Sequence, residues 1–198
     1  MTSAASSPGP LPATAAAEPA LARPRSAEEE ARIATALEEH FSSVWRALRR
    51  LGVHQSNADD AAQLVYLAFA LRIHEIDKGF ERAYLLGIAV QVAANARRRQ
   101  ARNAEEPSDT LDAEGSPHGD PESLLQEAQR RRRLDDVLSS FAPEQREVFV
   151  LYELEGFSLP EIARALQVPL GTATSRLRRA RAAFEAWIVE HLPNNGAS

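Results

Sequence analysis

The chain has 198 residues, 44% of them hydrophobic and only 6% aromatic, with a formal net charge of −5. It contains no cysteine, which excludes a disulfide framework, a thiol nucleophile and a thiolate zinc site. No apolar run approaches the roughly 18–20 residues of a membrane span, and the N-terminus lacks a basic region followed by an apolar stretch, so a cytoplasmic protein without membrane insertion is expected.

Residues 1–25 are mostly Ala, Pro and Ser, a composition too poor in apolar surface to offset the entropy of ordering, and they are expected to form a disordered tail. Ser26 with Glu29 three residues on predicts a capping box. Ile33, Leu37, Phe41, Val44, Trp45, Leu48 and Leu51 then recur at helical spacing as far as Gly52. Asn57 is the expected N-cap of a second helix that buries Leu64, Val65, Ala68 and Leu71. A third helix carries Tyr84, Leu85, Ile88, Ala89 and Val92 and ends in an arginine run. Residues 26–102 therefore read as one three-helix domain.

From Ala104 to Gln129 the chain holds eight acidic residues and no Lys or Arg; taking those eight from the net charge of −5 leaves the remainder at +3. Residues 103–120 are rich in Pro, Gly, Ser, Asp and Glu, and are expected to be a flexible acidic linker between independent bodies. Asp120-Pro121 should cap and open a helix through Leu124, Leu125, Ala128, Leu134, Leu138 and Phe141. Pro143 restarts the chain into a helix with Val148, Phe149 and Tyr152, ended by Gly156. A second domain over 121–190 and a short tail over 191–198 complete the division. No period-two run of β-branched residues occurs, so the expected fold is all-α with no sheet.

Function concentrates between Ser158 and Phe184. Ser158-Leu159-Pro160-Glu161 predicts a capped short helix bearing Ile162, Ala163 and Leu166. Gln167-Val168 makes a tight turn, and Pro169 opens the next helix. Two short helices joined this way form a helix-turn-helix, whose second helix enters a DNA major groove. On a wheel of about 100° per residue, Ala173, Leu177, Ala180, Phe184 and Ile188 share the inner side. Thr172, Ser175 and Arg179 point outward, flanked by Arg176 and Arg178. Guanidinium forks suit guanine edges and phosphates, and the decapeptide Thr172–Arg181 contains no acid.

The run Pro169-Leu170-Gly171-Thr172-Ala173-Thr174-Ser175-Arg176-Leu177-Arg178-Arg179-Ala180-Arg181 resembles the recognition-helix signature of region 4 of the sigma-70 family of RNA polymerase subunits. Glu161-Ile162-Ala163 and Arg146-Glu147-Val148-Phe149 stand at that family's spacing. Val44–Val53, Asn57–Gln63 and Tyr84–Ala89 resemble region 2, and the short acidic linker matches the extracytoplasmic-function (ECF) group. The resemblance implies a sigma factor that binds core RNA polymerase and promoter DNA, with no catalytic residue, cofactor or metal. It implies core-polymerase contacts at Asp59, Asp60 and Gln63, and −10 contacts at Phe80, Gln91, Asn95, Arg97 and Arg98, with the loop Ile76–Arg82 capturing an unstacked base. It also implies −35 contacts at Thr172, Ser175, Arg176, Arg178 and Arg179, and an anti-sigma protein as a further partner. The chain departs from the family pattern at Gln63-Leu64, at Ile88-Ala89-Val90-Gln91 and at Ala173-Thr174. The alternative is a helix-turn-helix regulator that acts without polymerase.

The histidines offer no metal site by spacing, and Glu153 and Glu155, two apart at a helix end, cannot face each other across a substrate. Trp45, Trp187 and Tyr84 are expected in cores, and Phe80 is expected near the surface.

Overall fold

The computed structural model describes residues 24–103 and 121–191. Most of the expected tail, the linker from 104, Asp120 and His118 lie outside the described residues.

Helix α1 (Ala27–Arg50) begins at the expected capping box: the Ser26 side chain accepts from the Glu29 backbone N–H at 3.1 Å and the Glu29 carboxylate accepts from the Ser26 N–H at 2.8 Å. Three acids in its first turn and two arginines in its last complement the helix dipole. The chain leaves it through Gly52, whose φ of +96° lies in the left-handed region that glycine adopts without strain. A 3₁₀ turn (Gln55–Asn57) then leads into α2 (Ala58–Leu71). Asn57 stands at the N-cap of α2 as expected but makes no side-chain cap hydrogen bond, whereas the turn before it is capped by His54, which accepts from the Ser56 N–H.

The buried face of α2 also differs from expectation. Ala58, Ala61, Ala62, Val65, Tyr66 and Phe69 are buried, whereas Leu64 and Leu71 are about half exposed, at 50% and 54%. Small alanines let α2 lie close against α1 and α3, and that rotation turns the leucines outward. A second 3₁₀ turn (Ile73–Glu75) and the loop through Gly79 lead to α3 (Glu81–Asn103), which buries Leu85, Leu86, Ala89, Val90 and Ala93. The three helices pack on one another around Leu48, Val65, Phe69 and Leu85.

In the second domain, α4 (Pro121–Ser140) starts at the expected proline and buries Val137 and Leu138 near its end, with Phe141 following, while Leu125 stays exposed. Helix α5 (Pro143–Phe149) runs into a π-helical turn (Val150–Leu154). Helix α6 (Leu159–Ala165) and the long α7 (Leu170–His191) follow. Phe141 meets Phe149 edge-on at 5.1 Å and Phe149 meets Phe184 at 5.4 Å, an aromatic chain that ties α4 and α5 to α7. No strand occurs among the described residues.

Contrary to the expectation of independent bodies, the two domains touch, and several polar side chains cross between them. Arg97 reaches Glu147 at 2.8 Å, Arg50 and Arg82 both reach Glu155 at 3.1 Å, and the Arg146 Nε donates to the Arg50 carbonyl at 2.5 Å.

Candidate nucleic-acid interface

The helix-turn-helix is built by local sequence. Ser158 donates from its backbone N–H and its hydroxyl to the Glu161 carboxylate at 2.8 and 2.6 Å. These bonds hold the Glu161 pKa below the usual 4.5. Ile162 and Ala163 face inward. At the end of α6, Gln167 takes φ +54°, and the Val168 N–H bonds back to the Ala163 carbonyl at 3.0 Å, a Schellman closure that reverses the chain in three residues. Pro169 lies just before α7 rather than inside it, its carbonyl accepting from Thr172 and Ala173.

Along α7, Ala173, Leu177 and Ala180 are buried and Phe184 and Ile188 half-buried, as the wheel predicts. Arg178 and Arg179 are exposed. The two hydroxyl-bearing site residues are partly committed: Ser175 Oγ donates to the Thr172 carbonyl at 2.9 Å, and Thr172 is half-buried. Arg176 is half-buried and turned toward the first domain. Arg181 lies outside this face; it pairs with Glu153 at 2.6 Å and stacks over Tyr152 at 5.1 Å, bracing α7 on the π-helical turn.

The α3 residues divide in two. Gln91, Asn95 and Arg98 line a cleft of about 200 Å³ whose far wall is Leu166, Gln167 and Arg176 of the second domain. Arg98 donates to Asn95 within this group at 2.5 Å. Arg97 turns away from it and is engaged by the Leu51 carbonyl at 2.5 Å and by Glu147. Burial raises the Glu147 carboxyl against the opposing pull of Arg97. Burial, with the Arg97 charge beside it, lowers Arg146 to about 10, which leaves it cationic at neutral pH. Phe80 is half-buried and packed against the core rather than presented as a free ring. The loop before α3 is braced by Arg32, which donates to Glu81 at 2.7 and 2.9 Å and to the Ile76 carbonyl at 2.7 Å. Arg32 carried no signal in the sequence, because its partners lie more than forty residues away.

On α2, Asp60 and Gln63 are exposed, while Asp59 accepts from the Trp45 indole at 2.9 Å. Trp45, expected in the core, packs against it while remaining half-buried. Beside these polar residues runs a stripe that sequence reasoning missed: Leu64, Leu67 and Leu71, each at least half exposed. Periodicity marks such leucines as core, and only the packing of the alanine face reveals that they point outward.

Glu153 and Glu155 diverge as expected, one to Arg181 of α7 and the other across the domain boundary. No cluster of His, Cys, Asp and Glu suited to a metal occurs among the described residues, and none of their helices is long and apolar enough to cross a membrane.

The geometry agrees with comparisons to known proteins. The family model described as sigma-70 region 2 matches residues 36–103, and that described as sigma-70 region 4 matches residues 131–184. The ECF RNA polymerase sigma factor SigE of Mycolicibacterium smegmatis is 27% identical over 77% of this chain and 60% of its own length. SigD of Mycobacterium tuberculosis is 33% identical over 63% of this chain and 58% of its own. The chain thus spans about three fifths of these two relatives. The sigma factor NccH of Alcaligenes xylosoxydans is 29% identical over 84% of this chain and 92% of its own. In fold, the chain resembles the sigma factor RpoE of Bartonella quintana, solved in complex with the anti-sigma factor NepR, with a TM-score of 0.64 at 17% identity. That match covers 81% of this chain and 98% of the other. CnrH, solved with the cytosolic domain of CnrY, matches with a TM-score of 0.59 at 23% identity, over 82% and 90% of the two chains. With region 2 and region 4 both matched in one chain, and curated relatives of the extracytoplasmic-function type, the protein belongs to the ECF group of the sigma-70 family.

Proposed function

We propose that the chain is a non-catalytic sigma factor that binds core RNA polymerase and directs promoter recognition, with residues 26–102 at the −10 element and residues 121–190 at the −35 element. The observation that carries this reading is the pairing, in one chain, of a capped helix-turn-helix that exposes Arg178 and Arg179 with an exposed leucine stripe flanked by Asp60 and Gln63 on α2. A regulator that reads duplex DNA alone needs the first feature and has no use for the second. The leucines supply apolar area and Asp60 supplies a charge complementary to a basic partner, a combination suited to docking on a large protein.

On α3, Gln91, Asn95 and Arg98 are the −10 contacts, with Phe80 and Arg97 available after rearrangement of their present packing. On α7, Arg178 and Arg179 lead the −35 contacts, joined by Thr172, Ser175 and Arg176. The protein works in the cytoplasm, where its polymerase is, without cofactor or metal. An anti-sigma protein is a further partner, supported by the likeness to a sigma factor solved with one.

Pull-down of purified core polymerase by the full chain tests the reading. Binding to core, and promoter-dependent initiation by the complex, are expected. Failure to bind core together with tight binding to a specific duplex would leave a helix-turn-helix regulator instead.

A further inference from the structure

In a helix-turn-helix the amino-terminal residues of the second helix reach the base edges, so the first turns of α7 decide which base chemistry can be read there. Two hydroxyls in that stretch are already engaged as donors. Thr174 Oγ1 donates to the Leu170 carbonyl at 2.9 Å, and Ser175 Oγ donates to the Thr172 carbonyl at 2.9 Å. Thr174 is nevertheless exposed, and with its hydroxyl turned back onto the helix the group it offers a ligand is its methyl. Leu170, one turn earlier, leaves an apolar side chain 50% exposed. Gly171 beside it has no side chain, and nothing lies within 4 Å of where a Cβ would stand, so the backbone can approach a groove closely.

Leu170, Thr174 and Arg178 are four residues apart and all exposed, and therefore form one row along the outside of α7. Each step in the row advances about 6 Å, close to the rise of about two base pairs. The row begins apolar and ends in a guanidinium, and the sequence from Ile162 to Phe184 contains no acid to repel a phosphate. Among the four bases only thymine presents an apolar group in the major groove, its C5-methyl, for which an aliphatic side chain or a threonine methyl is the complement.

We propose that Leu170 and Thr174 form an apolar patch that reads a thymine C5-methyl in duplex DNA, about two base pairs from the contact made by Arg178. This assignment rests on the promoter-recognition reading for the placement of α7 in the groove and adds to it the chemistry of the base that is chosen. The cationic part of the row supplies attraction to any duplex, whereas the apolar part discriminates between bases.

Deoxyuridine lacks only that methyl, so it removes the contact without altering a hydrogen-bonding group. Duplexes enriched from a randomised pool by the complex of the full chain with core polymerase are remade with one thymine at a time replaced by deoxyuridine, and Kd is measured for each. At one or two neighbouring thymines the replacement should weaken binding about fourfold, the worth of one buried methyl. Leu170→Ala and Thr174→Ser should each reduce that discrimination, and together abolish it. Thr174→Ser keeps the hydroxyl and its bond to the Leu170 carbonyl, so an intact helix loses only the methyl. A scan in which no thymine methyl matters, or a methyl effect that survives the double variant, would overturn the assignment. The same selection with the full chain alone separates it from the sigma reading. Enrichment with core polymerase but without a methyl effect removes the patch and keeps the sigma reading, enrichment by the chain alone with the methyl effect does the reverse, and enrichment by neither overturns both.

Discussion

Truncating the outer leucines of α2 separates a docking surface from a folding core. Leu67 and Leu71 are 57% and 54% exposed, so roughly half of each side chain is still in water in the free protein. Full burial of a leucine is worth about 1.5–3 kcal/mol, and the half that remains to be buried on docking about 1 kcal/mol each. A Leu67→Ala, Leu71→Ala double variant should therefore lose about 2 kcal/mol of association with core polymerase, about thirtyfold in Kd. The fold should lose little, since exposed substitutions usually change stability by about 0.5 kcal/mol or less. Leu64 is spared because it also lines the groove between the domains. Competition binding of the full-length variant to core polymerase, paired with a thermal melt, measures both quantities. An unchanged Kd refutes the assignment of this face to polymerase. A large fall in Tm refutes the claim that the leucines lie outside the core.

Three further outcomes follow from particular contacts. Phe69, fully buried between the helices of the first domain, should cost about 3–5 kcal/mol on replacement by Ala, read as a shifted denaturant midpoint. Replacing Arg178 or Arg179 by Ala should cost about 1–3 kcal/mol and relax selectivity at one position if the residue reads a base, or weaken all sequences and lower the salt slope by about one if it holds a phosphate; titrations at several salt concentrations distinguish these. The Glu161 carboxyl is held below its usual pKa by the Ser158 hydrogen bonds, so its contribution is fully present above pH 4.5 and is lost as pH falls through the depressed value. Glu161→Gln, which keeps an acceptor at the third helical position, should flatten the pH dependence of unfolding in that acid range, whereas Ser158→Ala should cost about 1 kcal/mol at neutral pH.

Local features were legible in the sequence because their causes are local. Both capping boxes, the break at Gly52, the turn at Gln167 and the inner face of α7 each depend on residues within a few positions of one another, and each stands where the spacing predicts. What could not be read depends on the rotation of a helix or on distant partners. The alanines of α2 set which side of that helix packs, and so moved Leu64 and Leu71 from the predicted core to the surface. Asp59 is bonded to Trp45, Glu81 to Arg32 across 49 positions, and Ser43 to Glu155 across 112. The same long reach explains why two bodies expected to be independent are joined: the acids and arginines of the junction look like ordinary solvated charges until the fold brings them together.

A chain that gives core polymerase its promoter choice makes initiation depend on its presence. In vitro transcription by purified core polymerase across a promoter library, with and without the full chain, tests it directly. Initiation at a restricted set of promoters is expected, dependent on the chain and requiring about thirtyfold more of the Leu67→Ala, Leu71→Ala variant. Absence of chain-dependent initiation at every promoter, with specific duplex binding by the chain alone, would contradict it.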